Sequence, residues 1–416
     1  MRILKLTPAV EKKLLAARVS HDEEARAVAA RIVADVRDRG DAGLLAWTKE
    51  LDQADLRAKD LWISQKEIRS AIRQVSPDFL RAVGQAAHNI RRVSEEQLPR
   101  PWSVEVEPGV RISQRVLPIE SVGAYIPGGQ ASLVSSLLMT AIPAQIAGVP
   151  RIIAVCPRPN NELLAAANFL GVTKIARIGG AQAIAALAYG TKSIARVEKI
   201  FGPGNKYVTA AKQLVSADCA IDLPAGPTEA IVLAERGKAR WIAADLLAQA
   251  EHAPDAASFL VTTSSALAHE VQREVKWQLA ESPFAFANLS TRRVGAILVA
   301  KSLEDACKFI NRFAPEHLSL PSGETELLQQ IRAAGTIFLG PWAAQPLGDY
   351  VSGSNHVLPT AGWARRRGGL SAADFVKCIS VQTISREGFL LLADSAETLA
   401  EAEGLLAHRN AVRIRR

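Results

Sequence analysis

Between residues 121 and 215, short apolar runs alternate with helical stretches, and glycines stand at the joints. Val122–Tyr125 runs into Gly128-Gly129, Arg151–Cys156 reads as a buried strand before a helix over 161–169, and Lys174–Ile178 leads through Gly179-Gly180 into a helix over 181–188. Lys199–Phe201 then meets Gly202-Pro-Gly-Asn205, with a helix to about Val215. Strands joined by helical crossovers are parallel neighbours with helices on their faces, so this stretch predicts a doubly wound α/β unit. Its ligand face should be the glycine turns at the carboxyl ends of the strands.

The pattern resumes with new partners after Asp222-Leu-Pro-Ala-Gly-Pro-Thr228. Strands are predicted at 230–234, 258–263, 296–300 and 335–339, with helices near 236–251, 265–281, 303–312 and 323–333. Upstream lie helices opened by capping boxes at Ser20/Glu23 and Ser64/Glu67 and by Ser76-Pro77, then a hairpin turning at Pro108-Gly109. The fold class is α/β: two doubly wound Rossmann-like domains, one inserted in the other. Residues 1–20 form an N-terminal arm, 21–124 with 230–370 a discontinuous domain, 125–229 the inserted domain, and 371–416 a helical segment. That last piece is too short for a core of its own and is expected to dock on another subunit.

The composition fits a soluble globular chain, with 48% hydrophobic and 22% charged residues among 416. No run approaches the roughly 18 to 20 apolar residues that span a bilayer, and the start lacks a signal-peptide core, so a cytoplasmic protein without a membrane partner is expected. The net charge of +8 permits an anionic ligand, but no nucleic-acid motif accompanies it. The four cysteines stand far apart and read as reduced thiols.

Polar residues gather where neither a core nor a plain loop needs them. Gln249 and His252, three apart at the end of a helix stopped by Pro254, can share one focus, although a plain polar helix end would look the same. Glu316 and His317 stand side by side before a strand, suited to general-base chemistry. Asp349 and His356 fall in a glycine-rich loop after the strand Thr336–Leu339, and Glu403 and His408 in a terminal helix over 396–408. One amide, two imidazoles and one carboxylate make a donor set that suits zinc.

Gly123-Ala-Tyr-Ile-Pro-Gly-Gly129, Gly202-Pro-Gly-Asn-Lys-Tyr207, Ala225-Gly-Pro-Thr-Glu229, Gln249-Ala-Glu-His252, Ala314-Pro-Glu-His317, Gly348-Asp-Tyr350, Ser354-Asn-His-Val-Leu-Pro359 and Glu403 with Ala407-His-Arg-Asn-Ala-Val412 occur in that order over nearly the whole chain. In this the chain resembles the histidinol dehydrogenase family. The resemblance implies a zinc-dependent enzyme, with one Zn2+ per subunit, that oxidises L-histidinol to L-histidine in two NAD-linked steps through a bound aldehyde. By motif match Gln249, His252, Asp349 and His408 hold the zinc, with His408 supplied by the partner subunit of a homodimer with shared active sites. Glu316 and His317 are then the catalytic pair, and Thr228, His356 and the partner's Glu403 join the ligands and the catalytic pair in holding substrate. Thr228 stands where the family usually has serine. Tyr125, Gln182 and Asn205 match its NAD contacts.

One departure stands out: Ala364-Arg-Arg-Arg-Gly-Gly-Leu-Ser371 replaces the family's usual Ala-Arg-aromatic-Ser-Ser-Gly-Leu-Ser. Extra cations beside a substrate loop would suit a sulfonated diol, as in sulfopropanediol dehydrogenase-type paralogues, whereas His356 and Glu403 favour the imidazole alcohol. A non-catalytic basic binding protein leaves Glu316, His317 and the donor set without a task. A zinc hydrolase leaves the glycine-turn domain without one.

Overall fold

The computed structural model describes residues 1–18, 22–128, 132–223, 226–281, 285–323 and 325–416. The chain opens with β1 (Arg2–Lys5) and α1 (Pro8–Ala17), followed by α2 (Glu23–Arg39), α3 (Asp41–Leu51), α4 (Gln65–Ile72) and α5 (Pro77–Gln97). The hairpin is β2 (Trp102–Glu107) and β3 (Val110–Pro118). Next come β4 (Ser121–Tyr125), α6 (Val134–Ile146), β5 (Arg151–Val155), α7 (Asn161–Phe169), β6 (Ile175–Ala176), α8 (Gly180–Tyr189), β7 (Lys199–Phe201), α9 (Lys206–Val215) and β8 (Ala220–Ile221). The run β9 (Glu229–Leu233), α10 (Ala239–Ala250), β10 (Ala257–Thr262), α11 (Ser265–Glu281), α12 (Ala285–Arg293), β11 (Ala296–Val299) and α13 (Leu303–Phe313) follows. It continues as β12 (His317–Leu320), α14 (Thr325–Leu328), β13 (Thr336–Leu339) and α15 (Gln345–Tyr350). The chain ends with β14 (Val376–Ile384), α16 (Arg386–Ala402) and α17 (Leu406–Arg413).

Two parallel sheets carry the fold, as the strand–helix alternation requires. One has the order β6-β5-β4-β7-β8, the other β1-β11-β10-β9-β12-β13. The strand order of each reverses at one point, between β4 and β7 in one and between β9 and β12 in the other. At the carboxyl ends of its strands the reversal in the first sheet makes the kind of crevice where α/β sheets take ligands, whereas the polar residues of the second sheet gather at the amino ends of β9 and β12.

Three expectations need correction. The N-terminal residues are no loose arm: β1 pairs in parallel with β11, Arg2 opposite Ala296 through Lys5 opposite Val299. The helices α2–α5 do not pack on the second sheet. Instead α2 lies on α8 and α9, α4 on α7, and α5 on α6. The cause is α8, which is apolar on nearly every face and buried from Ala181 to Ala188, so its outer side needs a cover. Ile32, Val33 and Val36 of α2 supply it, in one cluster with Ile184, Leu187 and Val208.

The C-terminal segment is mostly helical, as expected, but it also carries a strand. The β-favouring run Val376–Ile384 pairs antiparallel with β3 along its whole length, Val376 opposite Pro118 and Ile384 opposite Val110. The terminal helix also breaks, because Gly404 takes φ 71° between α16 and α17. Glu403 and His408 therefore share no helix. Of the capping boxes, Ser64/Glu67 forms. Ser20 lies outside the described residues, and Asp22 caps α2 by accepting from the Ala25 amide at 2.8 Å.

Candidate functional site

The second sheet gathers its polar residues at the amino ends of its two central strands. Thr228 precedes β9, Glu316 precedes β12, and His317 opens β12 opposite Ala230. Glu316 and His317 are both buried. A directed chain of hydrogen bonds fixes them. The Gln345 amide donates to Gln249 Oε1, and Gln249 Nε2 donates to Thr228 Oγ1 at 2.6 Å. The Thr228 hydroxyl in turn donates to Glu316 Oε2, which also accepts the Glu229 amide at 2.9 Å. Each donor is used in one sense only, so the Glu316 carboxylate is held in one orientation with its other oxygen spare.

His317 stands between two carboxylates. Its Nδ1 is 3.8 Å from Glu316 Oε2 and its Nε2 is 3.5 Å from Asp349 Oδ1. These are charge-pair distances, not good hydrogen bonds, and both buried ring nitrogens stay without a close protein partner. Burial alone would push the imidazole down, but Glu316 and Asp349 outweigh it and its pKa is raised. A raised pKa makes a stronger base, and neither buried ring nitrogen is taken up by a close hydrogen bond within the protein.

Asp349 lies in the short helix α15, not in the loop that was expected. Burial opposes its ionisation, yet His317, His356 and His252 all act on it and hold its carboxyl below the usual range. Of the three, His317 stands nearest, 3.5 Å from Asp349 Oδ1. His356 donates through Nδ1 to the Asp349 carbonyl at 3.0 Å, and its Nε2 lies 3.3 Å from Ser136 Oγ on α6. Asn89 of α5 donates to the Val351 carbonyl at 2.7 Å, and Asn355 to the Met139 carbonyl at 2.7 Å. The loop bearing His356 is therefore tied to helices of the first sheet, and the site lies where the two units meet.

The donor set fits a zinc ion but is one member short. His252 follows the end of α10 and its Nδ1–H donates to the Ala248 carbonyl at 3.1 Å, which leaves Nε2 as a lone-pair donor. Gln249 Oε1 accepts from Gln345 and retains a second lone pair, and Asp349 adds a carboxylate. Among the described residues no three His, Cys, Asp or Glu side chains cluster as a metal site. The fourth candidate is not brought in: Glu403 and His408 are exposed, on a segment where α17 packs on α16. That segment bares large apolar side chains, among them Ile379, Leu391, Leu399, Leu406 and Ile414, and the neighbouring strand β2 bares Val104 and Val106. So much exposed apolar surface in one region marks an interaction face.

Two of the candidate cofactor residues meet at the first sheet. Tyr125 ends β4, and its hydroxyl accepts the Gly180 amide at 3.1 Å. Fully buried Gln182 donates through Nε2 to Asp52 Oδ2 at 3.0 Å, while its Oε1 has no partner. Asn205 caps α9, accepting from the Tyr207 and Val208 amides at 3.1 Å each. Its loop is drawn against β4 at Gly202, where φ is 118° and a Cβ would stand 2.1 Å from the Tyr125 carbonyl oxygen. An orphaned buried acceptor beside a glycine turn fits a dinucleotide at this edge. Asp52 was not legible as part of this group, because it comes from the end of α3.

The arginine run is largely structural. Arg365 donates to the Arg312 carbonyl at 2.5 Å, Arg366 lies 5.0 Å over Trp363, and Arg367 bonds Asp374 at 3.0 and 3.1 Å as well as the Asp222 carbonyl. The expectation that these cations serve an anionic substrate loses its basis for Arg365 and Arg367.

One half-buried acid on α10 carries a stability prediction. Burial alone pushes Asp245 up to about 6. The folded chain thus holds its proton more tightly than the unfolded one. This stability is present at low pH and is lost as pH rises through about 6. Asp245→Asn is expected to raise stability by about 1 to 2 kcal/mol at pH 7 and by nothing below about pH 4. Urea melts at the two pH values test it; an equal change at both contradicts it.

With this geometry in hand, the chain was compared with known proteins. The sequence profile described as Histidinol dehydrogenase matches residues 15–416. Histidinol dehydrogenase of Methanosarcina barkeri is 43% identical over 414 residues, covering 97% of this chain and 95% of that protein. The enzyme of Halalkalibacterium halodurans is 47% identical, with 92% of each chain covered. The crystal structure of histidinol dehydrogenase from Elizabethkingia anophelis superposes with a TM-score of 0.95 at 37% identity, covering 100% of this chain and 98% of that one.

Proposed function

The chain belongs to the histidinol dehydrogenase family, and from that premise we propose that it oxidises L-histidinol to L-histidine in two NAD-linked steps at the cleft between its sheets. The observation that carries this reading is His317, buried between Glu316 and Asp349 with both nitrogens unclaimed. His317 takes the alcohol proton as hydride leaves the carbinol carbon. It does so again for the hydrated aldehyde. Glu316, its carboxylate oriented by Thr228 and the Glu229 amide, takes a proton from the water that adds to the aldehyde. Tyr125, Gln182 and Asn205 would hold NAD, whose chemistry there would be to accept hydride.

Gln249, His252 and Asp349 with His408 of the partner subunit would hold the zinc, whose chemistry is to fix and polarise the substrate's nitrogen and oxygen donors. His356 and the partner's Glu403 would face the imidazole. The bared apolar face of β14, α16 and α17 supports a homodimer, since it is the segment bearing Glu403 and His408. Retaining a reactive aldehyde between two steps favours a site closed by two subunits. Among the described residues no helix is long and apolar enough to cross a membrane.

The same-fold alternative, a sulfonated diol as substrate, lost its main support when Arg365 and Arg367 proved to be engaged within the protein. NADH formation with each alcohol tests the choice. Turnover of histidinol with no turnover of sulfopropanediol is expected, and the reverse would end the histidinol reading.

A further inference from the structure

Arg18, just past the end of α1, reaches across to the catalytic side of the second sheet. Its Nε donates to Glu229 Oε1 at 2.5 Å and its Nη2 to Glu229 Oε2, an almost fully buried bidentate pair. The same guanidinium donates through Nη1 to the Phe313 carbonyl, lies 3.4 Å from the Ala314 carbonyl and stacks 3.7 Å over the Phe313 ring. Both contacts bear on Glu316. The Glu229 amide bonds its carboxylate at 2.9 Å, and Ala314, at φ 50°, forms the turn from which Pro315, Glu316 and His317 emerge. One cation therefore grips the strand that holds the base and the turn that presents it.

We propose that Arg18 and Glu229 are positioning residues for Glu316, a brace that sets the carboxylate for water activation in the aldehyde-to-acid step. The proposal rests on Glu316 being that base. Bulk alone does not explain the pair, because a buried ion pair is on average no more stabilising than apolar side chains of like volume. An apolar side chain would fill the space of Arg18 and still leave the Phe313 carbonyl and the Glu229 carboxylate unpaired. Glu229 also shows the strain of its place: burial, with the Glu316 carboxylate adding to it, pushes it up to about 7 against the pull of Arg18.

The test is a separate assay of the two halves, with histidinol and with histidinaldehyde as starting substrate, on zinc-loaded full-length enzyme. Arg18→Met should slow the aldehyde half roughly 10- to 100-fold, the range seen when a supporting partner of a functional group is removed. The alcohol half should change by no more than about twofold, and Arg18→Lys, which keeps the cation, should recover part of the loss. Glu229→Gln keeps the shape, guards against a misfolded Arg18→Met, and should show the same selective loss. Equal slowing of both halves, or an unchanged aldehyde half in either variant, overturns the brace. Glu316→Gln is the control on the underlying reading: if it spares the aldehyde half, the assignment of the base fails; if it is selective while the brace variants are not, only the brace fails.

Discussion

Glu316→Gln is expected to slow conversion of the aldehyde to the acid by about 10²- to 10⁴-fold, the usual contribution of a positioned general base. That corresponds to roughly 3 to 5 kcal/mol of barrier. The first oxidation should fall far less, because the proposed acceptor of the alcohol proton is His317 and not Glu316. The substitution is nearly isosteric. Glutamine keeps an oxygen for the Thr228 hydroxyl and the Glu229 amide to donate to, so folding and zinc binding should survive. Rapid-quench measurement of aldehyde and acid from each starting substrate reads the two halves separately. Equal loss in both would remove the role assigned to Glu316.

Loss of a proposed zinc ligand should have the next largest effect. His252→Asn and His408→Asn are each expected to weaken zinc binding by well over ~100-fold, more than the roughly 10- to 100-fold that follows loss of an outer-shell partner. Each pure variant should be inactive without excess metal. Mixing the two chains gives a different outcome if His408 crosses to the neighbour. A mixed dimer then carries one site with both defects and one with none. Random reassociation makes about half the dimers mixed, so about a quarter of the wild-type activity should return. No recovery would mean that His408 serves its own chain, or none. In either case the exposed apolar face of the C-terminal segment would need another occupant.

Legibility in the sequence followed the range of the physics involved. The parallel sheets were readable because buried strands between helices leave a local pattern, and the boundaries of β4, β5, β9 and β10 fell within a residue or two of their expected places. Packing partners were not readable. Nothing local says that α2 covers α8, or that Arg2–Lys5 closes an edge of a sheet whose other strands lie more than two hundred residues away. The strand at 376–384 was not legible because helical signals surround this β-branched run and its partner, β3, is distant in sequence. In the site, Gln249, His252, Glu316, His317, Asp349 and His356 were visible as polar residues at element ends. Gln345, Ser136, Asp52, Arg18 and Glu229 were not, since each acts through a contact made only in the folded chain. Thr228 gained a physical role only there, as the hydroxyl that passes a hydrogen bond from Gln249 to Glu316.

In the proposed function one metal-dependent site carries a single alcohol through both oxidations. The most direct measurement counts NADH formed per histidinol consumed, with and without a chelator and after zinc is restored. Two NADH per histidinol, abolished by the chelator and recovered with zinc, is the predicted result. One NADH with release of free aldehyde, or turnover indifferent to the chelator, would contradict it.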